Sequence, residues 1–259
     1  MPLVTFRNPF ERTSQPLHTV AVIPARYHST RFPAKPLADL AGRPMIEHVF
    51  SRAASAPGVD AVIVATDDAR IEQAVRAFGG IVRMTSPLHS TGLDRVAEVA
   101  ADLTCEIVVN VQGDEPLIDP RAIADVVAPF ARDPALQMTT LRRRISDPAE
   151  LDNPHVVKIV VDRRDRALYF SRAAVPFARD PRQPIFKHIG LYAYRRAFVQ
   201  TLAALPRTPL ELAESLEQLR ALEHGFGICA VETDYDSIGV DTPEDLERVR
   251  RQLTVGARI

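Results

Sequence analysis

The chain has 259 residues, a hydrophobic fraction of 46% and a charged fraction of 25%, enough apolar material for one large α/β domain or two small ones. Its net charge is -1, so no global field draws it to nucleic acid or to an anionic membrane. No apolar run reaches membrane-spanning length, which excludes a helical span.

Cys105 and Cys229 are the only cysteines. Cys105 opens an apolar run and Cys229 sits between apolar residues, so both read as small core residues, a usage that suits a reducing compartment. Residues 1–17 (MPLVTFRNPFERTSQPL) lack the charged-then-apolar pattern of a signal peptide. They read as a poorly ordered N-terminal extension, and the protein is expected in the cytoplasm.

The first predicted strand is His18–Pro24, carried by the apolar run Thr19–Ile23. The stretch Pro24–Pro36 (PARYHSTRFPAKP) follows, with the cations Arg26, Arg31 and Lys35 and the prolines Pro24, Pro33 and Pro36. Proline fixes φ and removes a donor, so this loop is stiff. It lies where open α/β sheets bind ligands, at the carboxyl end of a strand. Clustered cations repel one another unless an anion lies between them. The loop taken alone fits a polyphosphate or carboxylate site, and it equally fits a solvated basic loop.

Next, Met45, Val49, Arg52 and Ala53 fall at helical spacing, and Pro44 suits a first helical turn. Val59–Ala65 reads as a buried strand, and Asp67 can cap a helix over Ala69–Phe78. Gly79 and Gly80 end that helix before a short strand, Ile81–Met84. Strand, helix, strand, helix, strand is the rhythm of a parallel sheet with right-handed crossovers.

Thr85–Arg95 (TSPLHSTGLDR) is a second polar loop, offering hydroxyls, an imidazole and backbone donors suited to a base or ribose. A helix-capping turn explains it as well. Cys105–Val111 is another buried strand, running straight into Gln112-Gly113-Asp114-Glu115-Pro116. A carboxylate beside a glycine at a strand end favours a magnesium ligand; the alternative is that Asp114 caps a turn and Glu115 is solvated.

From about residue 136 the pattern becomes antiparallel. Leu136–Leu141 is a predicted strand, and Arg142-Arg143-Arg144 reads as a solvated face. Val156–Val161 and Arg166–Ser171 pair through a turn at Asp162–Asp165. In the strand Lys187–Arg195, His188 and Tyr192 share one face, with Gly190 and Tyr194. Helices are predicted over Arg196–Leu205, Leu210–His224 and Glu244–Leu253, with a strand at Ile228–Val231. Asp241 or Thr242 can cap the last helix; Asp241 gains interest only if it faces Asp114.

Several motifs are absent: the phosphate-binding G-x-x-x-x-G-K-[ST], a G-x-G-x-x-G after the first strand, a zinc spacing and a G-x-S-x-G elbow. What remains is a cationic loop, a polar loop and two carboxylates. Cations and a carboxylate-held metal around a polyphosphate suit nucleotidyl transfer, which relies on positioning and charge neutralisation.

The segments IPARYHSTRFPAKPLADLAGRPMI, VNVQGDEPLI, ALYFSRAAVPF, HIGLYAYR, LEQLR and GVDTPEDLERVR resemble the 3-deoxy-manno-octulosonate cytidylyltransferase (CMP-Kdo synthetase) family. The match spans roughly Val20 to Arg250, and YFSR and LEQLR mark the Kdo branch of a wider nucleotide-sugar transferase group. The resemblance implies a Rossmann-like α/β fold with a mainly parallel central sheet, one domain over 18–253, and a dimerisation and sugar-binding elaboration at about 156–195. It implies transfer of CMP from CTP to Kdo for lipopolysaccharide biosynthesis, Mg2+ as cofactor, a homodimer, and neither nucleic acid nor membrane as partner.

By the same resemblance, Arg26, Arg31 and Lys35 bind the triphosphate, and Ser90, Gly92 and Arg95 hold the nucleoside. Asp114 and Asp241 ligate magnesium. Gln112, Arg172, His188, Tyr192, Glu217 and Gln218 line the sugar pocket. Arg172 suits an acid sugar, because its planar fork matches a carboxylate. The chain departs from the family pattern at Ala34 (usually glycine), Leu93 (usually threonine) and Phe177 (often tryptophan). The rival readings are transfer to another acid sugar, such as 8-amino-Kdo or a nonulosonate, and a non-catalytic nucleotide-sensing module.

Overall fold

Strand β1 (Thr19–Ala25) is apolar along most of its length, and Val20, Ala21, Val22 and Ile23 are fully buried. The structure, a computed structural model, describes residues 9–10, 17–28, 32–180 and 182–256. The chain divides into two compact units, Met1–Ala124 with Ser237–Ile259, and Asp125–Asp236. Most of the N-terminal extension, and Arg31, lie outside the described residues. Of the extension, Leu17 is buried and Phe10 lies under the Arg83 guanidinium at 5.2 Å.

In the first unit β1 is followed by a small antiparallel hairpin, β2 (Asp39–Leu40) and β3 (Arg43–Pro44). Ala41 and Gly42 turn it with φ of 56° and 81°, both positive as the strand twist demands. Helix α1 (Met45–Ala54) has Pro44 at its N-cap. Strand β4 (Ala61–Thr66), helix α2 (Ala69–Ala77), strand β5 (Ile81–Met84), helix α3 (Gly92–Ala101), strand β6 (Ile107–Asn110) and helix α4 (Pro120–Val127) continue the alternation. β1 pairs in parallel with both β4 and β6, and β4 with β5. Every residue of β4 and β6 is buried, as a strand covered on both faces requires.

The second unit contains β7 (Met138–Arg144), β8 (Lys158–Val161), β9 (Ala167–Ser171), β10 (Phe186–Arg195), helices α5 (Arg196–Ala204), α6 (Pro209–Glu214) and α7 (Gln218–Glu223), and β11 (Ile228–Glu232). β10 pairs antiparallel with β7 and β8, β8 antiparallel with β9, and β11 parallel with β7. Helix α8 (Pro243–Gly256) then returns to the first unit. Leu246 and Val249 of α8 pack with Leu40, Met45 and Val240. The mainly parallel α/β architecture with an antiparallel second half, as read from the sequence, is what is observed.

Four local expectations change. Asp68, not Asp67, caps α2, accepting from the backbone N–H of Arg70 at 2.9 Å. The single helix expected over Leu210–His224 is two, α6 and α7, broken at Ser215 with φ 53°. Arg142 is not part of a solvated face: it is buried, donating to the Ala230 carbonyl and to Asp165 at 2.7 Å. Glu115 is also buried rather than solvated.

Candidate active site

The loop after β1 closes on itself through one backbone bond, from the Ala34 N–H to the Tyr27 carbonyl at 2.9 Å. Ala34 has φ 58°, the left-handed region in which glycine is free and alanine is strained. A short 3-10 turn, Lys35–Leu37, then begins with the cation and fixes it by Pro36, which is buried. Arg70 adds a clamp from α2. Its guanidinium lies 3.2 Å from the Tyr27 ring centre while donating to both Asp68 carboxylate oxygens, at 2.9 and 2.6 Å. That pairing holds the Asp68 carboxyl down at about 2.

Lys35 is the centre of the site. Its ammonium donates to Asp114 at 2.8 Å and to Asp241 at 3.3 Å. Its side chain is 15% exposed, against 34% for Asp114 and 48% for Asp241. Two physical features bring the carboxylates together. The Val240 N–H donates to the Asp114 carbonyl at 2.9 Å, and the apolar face of α8 holds Val240 in the core. Asp241 does not cap α8: Thr242 does, accepting from the Asp245 N–H at 3.2 Å, while Asp245 accepts from Thr242 in return.

A cleft of about 460 Å³ opens over these groups, lined by Arg26, His28, Lys35, Gly92, Gln112, Gly113 and Asp114, among others. Gly113 is there because nothing larger fits: a Cβ would lie 2.8 Å from the Pro24 carbonyl oxygen. Gly92 is the first residue of α3, so the positive end of a helix dipole borders the cleft. Cations, backbone donors and carboxylates on one cleft suit a polyphosphate with an accompanying cation.

The donor chemistry fits magnesium. Magnesium is commonly held by one or two carboxylates, with phosphate and water oxygens completing its shell. Asp114 and Asp241 already converge on one positive charge. Among the described residues no group of three or more His, Cys, Asp or Glu side chains is arranged to hold a metal alone.

The polar loop before α3 divides its tasks. Thr91 is the N-cap, in a capping box with Asp94, and the Ser90 hydroxyl donates to Asp94 at 3.3 Å. Arg95 is not on the cleft. It is fully buried, donating to Asp67 at 2.9 Å and to the Thr85 hydroxyl, and its Nε has no hydrogen-bond partner among the described residues. A buried, paired guanidinium supports the loop from beneath; direct contact with a nucleoside would break its pairing with Asp67. Asp67, expected as a helix cap, is that partner.

The second unit holds the other five expected sugar-pocket residues. His188 and Tyr192 share a face of β10, with ring centres 5.3 Å apart. Phe170 meets the His188 ring edge-on at 5.0 Å. Tyr192 also stacks on Tyr194 at 6.1 Å. Desolvation lowers the His188 pKa to about 3, so the imidazole is neutral. The Thr140 hydroxyl donates to the Leu191 carbonyl at 2.9 Å, which leaves a lone pair to accept from His188 Nε2 at 2.8 Å. Desolvation, aided by the Glu217 charge, pushes the Tyr192 phenol up. Gln218 is buried at the start of α7, its Nε2 without a partner among the described residues.

Arg172 is tied from several sides. Its Nε donates to the Glu214 carbonyl at 2.8 Å and its Nη1 to the Pro154 carbonyl at 3.0 Å. The Glu214 carboxylate accepts from the Ser171 hydroxyl at 2.6 Å and from the Arg172 N–H at 2.9 Å. Burial alone would raise the Glu214 pKa; these donors and the Arg172 charge outweigh it and hold the carboxyl below its ordinary range.

The cytidylyltransferase family profile matches residues 20–233. The 3-deoxy-manno-octulosonate cytidylyltransferase of Geobacter sulfurreducens is 54% identical over 249 residues, covering 92% of this chain and 100% of the relative. The chain belongs to the 3-deoxy-manno-octulosonate cytidylyltransferase family. It is a nucleotidyltransferase. The cytidylyltransferase of Solibacter usitatus is 53% identical over 238 residues, covering 91% of this chain and 94% of the relative. Among solved structures, a CMP:2-keto-3-deoxy-manno-octonic acid synthetase complexed with CTP is 46% identical with a TM-score of 0.89, covering 92% and 99% of the two chains. A cytidylyltransferase from Leptospira borgpetersenii, 16% identical with a TM-score of 0.64 over 92% and 87% of the chains, shares the fold.

Within that family pattern, the departures can be placed. Ala34 takes the strained φ already noted. Leu93 is buried in α3, where a threonine hydroxyl would need a partner. Phe177 is 90% exposed. The sequence reading missed Gly113, whose signal was its place inside Gln-Gly-Asp-Glu-Pro. It also missed Lys158, which carries no motif of its own.

Proposed function

We propose that this chain transfers CMP from CTP to 3-deoxy-D-manno-octulosonate (Kdo), releasing pyrophosphate. The observation that supports this most is Lys35 bridging Asp114 and Asp241 beside a cleft bordered by Arg26 and Gly92. Relatives at 50 to 54% identity carry the Kdo cytidylyltransferase name over nearly the whole chain.

In this reading the anomeric hydroxyl of the sugar attacks the α-phosphorus and gives up its proton to solvent, the bond to the β-phosphate oxygen breaks, and pyrophosphate leaves with the electron pair. Arg26, Arg31 and Lys35 bind the triphosphate and offset the charge that builds on its oxygens. Asp114 and Asp241 would hold Mg2+, and Lys35 offsets their repulsion. When bound, Mg2+ would supply Lewis-acid stabilisation of the charge that develops in the transfer. Ser90 and Gly92 sit at the nucleoside end, with Arg95 bracing the loop. Gln112 lines the first-unit cleft, and in the second unit the neutral His188, with Tyr192, Glu217 and Gln218, meets sugar hydroxyls. Arg172 meets the sugar carboxylate.

The reading extends to a homodimer in the cytoplasm. The second unit exposes Leu168, Phe177, Leu210 and Leu212, apolar surface that a second copy would cover. Cys105 and Cys229 are free thiols. Among the described residues no helix is long and apolar enough to cross a membrane.

Pyrophosphate release tests the reading, with each of the four nucleoside triphosphates set against Kdo, 8-amino-Kdo and sialic acid. Release with CTP and Kdo supports it. Release only with another acid sugar moves the substrate and keeps the mechanism, while CTP binding without release with any pair favours the sensing module.

A further inference from the structure

Lys158 is a fully buried lysine that the reaction does not use. It stands on β8 directly across from Ser171 of β9, one residue before Arg172. Its ammonium donates to three backbone carbonyls: Asn153 at 2.9 Å, Val156 at 2.6 Å and Arg172 at 2.7 Å. An ammonium has three donors and no acceptor, so the set is complete. Arg172 reciprocates on the same turn, donating to Pro154. Lysine and arginine thus interlock around residues 153–156, and each fixes a carbonyl that the other's backbone or turn supplies.

The arrangement is costly. Burying an ammonium carries a desolvation penalty of several kcal/mol, and desolvation lowers the Lys158 pKa, opposed by Asp152 and Glu214. A leucine would satisfy packing at lower cost, but it would remove the one group that ties these three carbonyls together; the Asn153 carbonyl also accepts from the Val156 N–H at 3.1 Å. The turn and the backbone of Arg172 are therefore held by one group. The Arg172 side chain is held at its other edge by Glu214.

We infer that Lys158 is a positioning residue for the acid sugar: it fixes the Arg172 backbone and the 153–156 turn so that the Arg172 guanidinium meets a carboxylate at low entropic cost. The inference rests on the reading of Arg172 as the group that binds the sugar carboxylate. A residue acting through Arg172 has a defined signature. It changes the sugar KM, leaves CTP binding alone, and loses its effect once Arg172 is gone.

The experiment is a double-mutant cycle with Lys158→Met and Arg172→Ala, reading the KM for Kdo and, without sugar, the Kd for CTP. Lys158→Met keeps the apolar stem and removes three donors. The Kdo KM is expected to rise about tenfold or more, with the CTP Kd within about twofold of the parent. The double variant is expected to match Arg172→Ala alone. If Lys158→Met does not fold, Lys158→Arg takes its place. It keeps the charge but cannot aim three donors at these carbonyls, and it is expected to shift the Kdo KM in the same direction by a smaller factor.

A Kdo KM within about twofold of the parent in the folded Lys158 variant overturns the inference. So do effects on CTP and Kdo of equal size, and so does a double variant whose losses multiply. If Arg172→Ala itself leaves the Kdo KM unchanged, the assignment of Arg172 fails instead, and the inference falls with it.

Discussion

The backbone N–H of Val240 donates to the carbonyl of Asp114 at 2.9 Å. That bond seats the segment before α8 on the turn after β6, and it places the Asp241 carboxylate beside the Asp114 carboxylate around Lys35. The packing of Leu246 and Val249 under the hairpin and α1 keeps it there. Two carboxylates distant in sequence are thus brought together by the apolar face of α8.

Asp114→Asn keeps the shape and the hydrogen-bonding reach of the side chain but removes its charge. Turnover at saturating magnesium is expected to fall at least about a hundredfold, with CTP affinity changed by no more than a few fold. Steady-state kinetics beside equilibrium CTP binding check this. Near-parent turnover would remove Asp114 from the reaction.

Lys35→Ala leaves Asp114 and Asp241 facing each other without their shared cation. Like charges then repel one another with nothing to offset them. The expected outcome is a loss of kcat of about a hundredfold that added magnesium restores only in part. An unchanged rate would contradict the role given to Lys35.

Ala34 has φ 58°, where an L side chain costs roughly 1–2 kcal/mol and glycine almost nothing. Glycine also costs about 0.5–1 kcal/mol in chain entropy. Ala34→Gly is therefore expected to be neutral or stabilising by up to about 1 kcal/mol, measured as a denaturant midpoint. Destabilisation by more than about 1 kcal/mol would show that the positive φ is not strained.

His188 gives a pH dependence of known sign. Its folded pKa, about 3, lies below the ordinary value near 6.5. Between those values the unfolded chain binds a proton that the folded chain does not, so stability falls as pH drops through that window. The slope from this one group is at most about 1.4 kcal/mol per pH unit. His188→Gln is expected to flatten the fall in melting temperature between about pH 6.5 and pH 4. An unaltered slope would mean that His188 is not the desolvated, neutral group described.

How much of this was legible in the sequence depends on range. The parallel alternation was readable because continuous apolar runs such as Ala61–Ala65 and Ile107–Val109 leave little choice but a buried strand. The β8–β9 pairing was readable from Asp162–Asp165 between two strand-like runs. Local rules failed where tertiary contacts chose between neighbours. Asp67 and Asp68 are both good caps; Asp67 is taken by buried Arg95, so Asp68 caps α2. Arg142 looked like its solvated neighbours until β11 supplied the Ala230 carbonyl. The helix break at Ser215 has no glycine or proline to announce it. At the site, Arg26, Lys35 and Asp114 were readable as a cationic loop and a strand-end carboxylate. Asp241 was not: before Thr242-Pro243-Glu244 it looks like a cap, and only the resemblance linked it to Asp114. Lys158 carries no motif, and only its three carbonyl partners disclose it.

The central claim is attack at the α-phosphorus of CTP by the sugar hydroxyl. The most direct measurement is the fate of labelled phosphate when the enzyme turns over with Kdo and magnesium, using CTP labelled at the α-position in one reaction and at the γ-position in another. The α-label is expected to pass to the sugar product while the γ-label leaves as intact pyrophosphate. Transfer of the γ-label to the sugar, or release of the γ-label as single phosphate, would contradict it.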